Sequence, residues 1–212
     1  MTAAIIPEGT PMAFSDFQYP DVLAKFGLTE TVGDLFGSVP PLAPSEALRS
    51  QMPDFLILAT TIHTEKARSE LLVAPLLAET WVRMKGRVNL FSGVDFQADP
   101  EAKLTGYVDF LFGLGPQLFR PTAPVAVLFE AKRDSIPDGF GQCIAAMVGA
   151  QRFDERAGKP QPIIYGAVTT GSLWRFLTLS GSLVTFDATE YGIGQLDKLL
   201  GILNRIVDPP AR

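Results

Sequence analysis

The residues best suited to chemistry in this chain are Glu130 and Lys132, in "PVAVLFEAKR". Five apolar residues lead straight into the pair. Side chains alternate along an extended strand, so Leu128, Glu130 and Lys132 share one face while Phe129, Ala131 and Arg133 share the other. A carboxylate and an ammonium then project side by side from a strand whose composition marks it as central. The same triplet recurs at Glu101 to Lys103, in "QADPEAKLTG". Composition alone gives about one acid-x-Lys by chance, so the flanking residues must decide between the copies. The first copy follows a turn sequence, where charges are expected to be solvated in a loop.

A matching oddity precedes the second copy. Asp109 is the sole charge in "GYVDFLFGLG". Burying a lone carboxylate is costly, so it calls for a cationic partner or a metal. Glu70 stands on the helix before these strands, in "EKARSELL". Glu70, Asp109 and Glu130 together would offer oxygen ligands to a hard cation such as Mg²⁺, for which Mn²⁺ substitutes, with the Ala131 carbonyl and waters completing the shell. Lys132 would orient or deprotonate an attacking water, or stabilise charge on an attacked phosphate. Each residue also has a purely structural reading. Glu130 with Lys132 could be a salt bridge at a strand end, Asp109 a paired carboxylate, and Glu70 part of a solvated helix face.

The elements that must hold these groups follow from periodicity. Residues 1 to about 60 are rich in Pro and small residues and read as an arm rather than a second domain, with residues 61–212 forming the main α/β domain. In the arm, "YPDVLAKFGL" and "TVGDLFG" read as brief helical turns, "QMP" as a break between segments, and Ser45 as an N-cap opening another turn. From residue 60, apolar residues recur at helical spacing, with Thr64 in the polar lead-in and Pro75 kinking or dividing the helix. Strand-like runs follow at "RVNLFSGVDFQ", "LTGYVDFLFGL", "VAVLFEAKR" and "PIIYGAVTT". Between the last two lies the helix "DGFGQCIAAMVGAQRFDERAG", with Asp138 as its cap and Gly158 past its end. A hairpin across "SG" and a closing helix in "GIGQLDKLLGILNRIV" complete the chain. The pattern predicts an α/β fold: a mixed central sheet flanked by helices, with an N-terminal arm and a C-terminal hairpin and helix.

The order Glu70, Asp109, Glu130-Ala131-Lys132, then Gln142 on the next helix, resembles the PD-(D/E)XK nuclease superfamily, also called restriction endonuclease-like. Its core of helix, three strands, helix and strand matches the order read above over residues 64–170. Within that superfamily, "FEAKRD", "GFGQCIAAM" and "YGAVTTGSLWRFLTL" are similar to the N-terminal nuclease domain of type I restriction motor subunits. The resemblance implies that Asp109 and Glu130 are metal ligands, Lys132 the catalytic lysine, Glu70 an accessory ligand and Gln142 an active-site polar residue. The sequence departs from the family pattern in reading "YVD" rather than "PD" at Asp109.

Composition bounds these readings. With 212 residues, 47% hydrophobic and 19% charged, the chain is long enough to bury a core of its own. Cys143 and His63 are the single residues of their kinds, which excludes an internal disulfide and a Cys/His zinc cluster. Residues 1–60 hold seven acids and two bases, so the whole net charge of −5 sits there. That balance argues against tight nonspecific DNA binding, although local basic clusters remain open to a phosphate backbone. Arg83, Lys85 and Arg87 form one such cluster, with helix C-terminal placement as the structural alternative. "GFGQCIAA" lacks the third glycine of a dinucleotide loop. Trp174 is expected in packing, and His63 in a structural or exposed role. Neither a membrane span nor a signal peptide is read, so a cytoplasmic location is expected. Two functions fit: a metal-dependent nuclease hydrolysing DNA phosphodiester bonds, or a catalytically silent nucleic-acid-binding or interaction module on the same fold. The apolar arm is a candidate for homodimer formation.

Overall fold

A single mixed sheet of eight strands organises the described residues, 12–99 and 104–208, of the computed structural model. The Glu101 to Lys103 triplet lies outside them. In chain order the elements are β1 (Met12–Ala13), α1 (Asp21–Phe26), β2 (Thr29–Gly33), α2 (Glu46–Ile62) and α3 (Glu65–Arg68). A π-helical segment (Ser69–Val73), α4 (Ala74–Arg83), β3 (Val88–Asp99), β4 (Leu104–Leu114) and β5 (Val125–Ala131) follow. The rest comprises α5 (Phe140–Arg156), β6 (Ile164–Thr169), β7 (Leu173–Ser180), β8 (Leu183–Gly192) and α6 (Leu196–Val207). The sheet order is β1-β4-β5-β6-β7-β8-β2, with β3 also paired to β4. Strands β5 and β6 run parallel with α5 between them, whereas the β3-β4, β4-β5, β6-β7 and β7-β8 pairs are antiparallel.

Every residue of β5 is buried, because both sheet faces are covered at that position. Alternation sorts its side chains between two cores. Leu128 joins Leu111, Ile144 and Met147 on the α5 side, while Phe129 joins Phe110, Leu72, Leu76 and Leu203 on the side of the π segment, α4 and α6. This two-sided burial explains the near-continuous apolar run that precedes Glu130. Trp174 is fully buried in the second core, and its indole N–H donates to the Gly171 carbonyl at 3.2 Å.

The arm departs from its sequence reading. "TVGDLFG" does not form a helical turn: its first residues lie in β2, which pairs in parallel with β8 at the sheet edge. Thr31 and Val32 are β-branched, and an available edge decided the outcome over local turn chemistry. Ser45 does cap a helix, accepting from the Leu48 N–H at 3.2 Å, but that helix runs to Ile62. Pro53 therefore lies inside α2 rather than dividing segments. It sits on the exposed side, where solvent can meet the carbonyl that the missing N–H leaves open. Residue 60, the expected limit of the arm, falls within this helix.

Two further details differ from expectation. Asp138 occupies a short 3-10 turn (Pro137–Gly139), and α5 starts from Gly139 without a side-chain cap. Gly139 is needed for proximity: a Cβ there would come within 2.5 Å of Val168 Cγ1 and 3.2 Å of Lys132 Cγ. Pro75 acts on the turn before it, where the Ala74 N–H reaches back to the Ser69 carbonyl and the helix widens into the π segment carrying Glu70. A proline lacks the N–H for the regular ladder, and a π turn absorbs the mismatch.

Asp154 anchors the start of β5. It is fully buried, and both its carboxylate oxygens lie 3.0 Å from the Val125 N–H. Burial pushes its carboxyl up to about 7. Asp154→Ala would leave that N–H unsatisfied, so a loss of about 1–3 kcal/mol of stability is expected in urea unfolding. An unchanged midpoint would rule out the anchoring role. Among the described residues, no helix is long and apolar enough to cross a membrane.

Candidate active site

Strands β4 and β5 build the site where their pairing ends. The register Leu111↔Leu128 and Phe110↔Phe129, continued by one step, sets Asp109 opposite Glu130. Beyond that point the Ala131 N–H has lost its ladder partner, and the Asp109 carboxylate takes it at 2.8 Å. Glu130 is 4% exposed. Its Oε1 accepts from Lys132 Nζ at 2.6 Å, and the same ammonium donates to Gln142 Oε1 on α5 at 3.2 Å. The Lys132 N–H in turn bonds to the Thr169 carbonyl of β6 at 2.7 Å, fixing the residue just past the strand end. Asp109, Glu130, Lys132 and Gln142 are thus assembled from β4, β5, the segment after β5 and α5.

The electrostatics are those of a crowded, poorly hydrated cluster. Burial, with the Asp109 charge adding to it, pushes Glu130 up to about 8 against the pull of Lys132. Burial also raises Asp109, opposed by the Ala131 N–H and by Lys132. For Lys132, burial works to lower the pKa, but Glu130, Glu65 and Asp109 outweigh it and hold the ammonium above its ordinary value. Lys132 is therefore charged at neutral pH. Glu130 is held largely as the neutral acid at neutral pH, because ionising it beside Asp109 would set two carboxylates against one ammonium.

No protein-family model, curated protein or solved structure matches this chain. The functional reading rests on residues and geometry.

Glu70 stands apart from the cluster. It is exposed and forms an i,i+4 ion pair with Lys66 at 2.6 Å. It nevertheless lines, with Asp109 and Ala131, a cavity of about 280 Å³ on the side of the π segment. Glu65, one turn earlier, lines that cavity and also a hollow of about 410 Å³ around Lys132. Glu65 acts electrostatically on both Glu130 and Lys132, a role its exposed position in "EKARSELL" did not signal. The π segment Ser69–Val73 interrupts the regular helical repeat after Glu65, and simple periodicity does not capture that.

Other sequence candidates resolve into structure. Arg83 bonds Glu79 at 2.6 Å and the Ala43 carbonyl, and Arg87 pairs with Asp208 at 2.9 Å, so these two cations join parts of the fold. His63 takes a left-handed conformation (φ 56°) ending α2 and faces Arg68 and Asp134.

The donor set suits a hard divalent cation. Mg²⁺ is commonly held by one or two carboxylates, retaining waters and taking substrate oxygens. Asp109 and Glu130 supply that pair, and their raised pKa values mark a deficit that a cation would relieve. Among the described residues no three His, Cys, Asp or Glu side chains gather as a metal cage. Waters, the Ala131 carbonyl and substrate would therefore have to complete the shell.

Proposed function

We propose that this protein is a Mg²⁺-dependent nuclease with a PD-(D/E)XK-type site, hydrolysing DNA phosphodiester bonds on a restriction endonuclease-like core. The observation that carries the reading is the convergence of Asp109, Glu130, Lys132 and Gln142 at the parting of β4 and β5, one carboxylate almost fully buried. A structural ion pair needs neither a second carboxylate opposite it nor an ammonium shared with a third side chain.

Asp109 and Glu130 would hold the cation, with Glu70 or Glu65 reaching it from the helix through water. The bound cation would supply charge to offset the phosphate and to favour an ionised attacking water. Lys132, held as an ammonium, would orient that water and stabilise charge on the attacked phosphate rather than remove a proton. Gln142 and Glu130 keep the Lys132 amine aimed, and Asp109 is itself fixed by the Ala131 N–H.

The test is incubation of the purified protein with Mg²⁺ or Mn²⁺ and plasmid, linear duplex and single-stranded DNA. Cleavage of at least one form, lost in EDTA, is expected; failure to cut any of them ends the proposal. One observation favours the silent-module reading: Glu70 is exposed and engaged by Lys66 rather than turned to the cluster. Thermal unfolding separates the two readings. A silent module should show no Mn²⁺-dependent stabilisation that vanishes in Asp109→Asn.

A further inference from the structure

Arg68, at the end of α3, is 9% exposed. Its Nη1 donates to the Thr170 carbonyl at 3.1 Å and to Ser172 Oγ at 3.4 Å, and its Nη2 lies 3.3 Å from His63 Nδ1. A guanidinium only donates, and what it meets here is a carbonyl oxygen, a hydroxyl and a ring nitrogen rather than a carboxylate. Its Nε has no hydrogen-bond partner among the described residues, and no carboxylate among them pairs with it. Burying a cation without a counter-charge is costly, which makes this group an anomaly in need of an anion.

Arg68 lines a hollow of about 410 Å³ between the turn after β6 and the segment joining β5 to α5. Two acids also line it, but each is already matched: Asp134 pairs with Arg133, and Glu190 pairs with Arg175 at 2.8 Å. The charge of Arg68 is left over. Gly171, at φ +79°, lets the Thr170–Ser172 turn pack close: a Cβ there would lie 3.3 Å from Arg68 Cβ. Ser172 and Ser135 add hydroxyls to the wall, and Arg133 stands exposed at the rim. Arg133, Asp134 and Ser135 also border the hollow in which Lys132 stands, so the two hollows share a wall.

We propose that the Arg68 hollow is a phosphate subsite adjoining the Lys132 cluster, in which Arg68, Ser172 and Ser135 take a phosphate group of the bound nucleic acid. Its position relative to the attacked bond rests on the nuclease reading, but its affinity for phosphate does not. The shared chemistry is a phosphate oxyanion, presented either by a 5′-terminal monophosphate or by an internal phosphodiester.

The experiment measures binding of a 3′-labelled single-stranded DNA oligonucleotide, with a 5′-phosphate or a 5′-hydroxyl, to the full chain in EDTA across a salt series. Arg68→Gln is expected to weaken binding about tenfold and to flatten the slope of log affinity against log salt by about 0.7, the value for one lost phosphate contact on a single strand. Loss confined to the 5′-phosphate oligonucleotide assigns a terminal phosphate, and equal loss with both assigns an internal one. Unchanged affinity and slope in folded Arg68→Gln, or no binding by the wild type, overturns the subsite. Should Arg68→Gln fail to fold, Ser135→Asp, which sets a carboxylate in the same hollow, is expected to weaken binding about tenfold, and unchanged affinity overturns the proposal. Arg68-dependent binding by a protein that cuts nothing would keep the subsite and remove the nuclease reading. Cleavage with Arg68-independent binding would do the reverse.

Discussion

Lys132→Ala is expected to lower DNA cleavage by at least about a hundredfold while leaving the fold intact. Removing one preorganised donor at a developing charge costs about 10²–10³ in rate, and Lys132 is the ammonium at the centre of the cluster. The side chain emerges just past β5, with its backbone N–H held by Thr169, so truncation removes the amine without disturbing the strand. Lys132→Arg should rescue only weakly, since a planar fork cannot occupy the position of a compact ammonium between Glu130 and Gln142. Single-turnover cleavage with matched circular dichroism spectra is the measurement. A folded Lys132→Ala protein cutting at the wild-type rate would remove Lys132 from the chemistry and the family reading with it.

Glu130→Gln is expected to make the metal-free protein more stable at pH 8–9 than the wild type, while destroying its response to divalent cations. The direction follows from proton uptake. Glu130 titrates near 8 in the folded chain against an ordinary value of 4.5, so between those pH values the native state holds a proton that the unfolded chain has released. Wild-type stability therefore falls as pH rises from about 4.5 through 8. Asp109, also raised, and Asp154, pushed up to about 7, add to the same slope. The raised Lys132 pKa acts only above the ordinary lysine value of 10.5 and leaves this window untouched. Glutamine keeps an acceptor for Lys132 without the charge, so the variant should lose the share of the slope that Glu130 contributes, which is the part that persists above pH 7. It should gain on the order of a few kcal/mol at pH 9, because each pH unit between the two titration points is worth about 1.4 kcal/mol. Thermal unfolding in EDTA and in Mn²⁺ across pH 5–9 reads both effects. A variant less stable than wild type at pH 9 in EDTA would show that Glu130 is a structural ion-pair partner instead.

Much of the architecture is legible in the sequence because it rests on short-range physics. The runs that form β3 to β8 are rich in β-branched and aromatic residues between turn signals, and their bounds shift by only a few residues in the structure. Glu130 and Lys132 stand out because charges directly after a fully buried strand are anomalous, and Asp109 because it is the sole charge in its own run. The arm differs from its local pattern where partners decide conformation. Thr29–Gly33 is too short to declare itself a strand, and the edge offered by β8 makes it one. Pro53 reads as a breaker, yet the packing of Met52 and Ala59 carries the helix through it.

The sequence by itself determined the element order from residue 64 onward, the alternation that sends Glu130 and Lys132 to one face, and the exclusion of an internal disulfide and a Cys/His zinc cluster. Local propensity and side-chain inventory need no partner to act. Tertiary structure alone decided that Asp109 stands across from Glu130, that Glu65 rather than Glu70 is electrostatically coupled to the cluster, and that Arg68 is buried without a counter-charge. Each of these depends on strand register, on a widened helical turn or on the approach of a distant loop, and such contacts join residues too far apart in the chain for any local pattern to record.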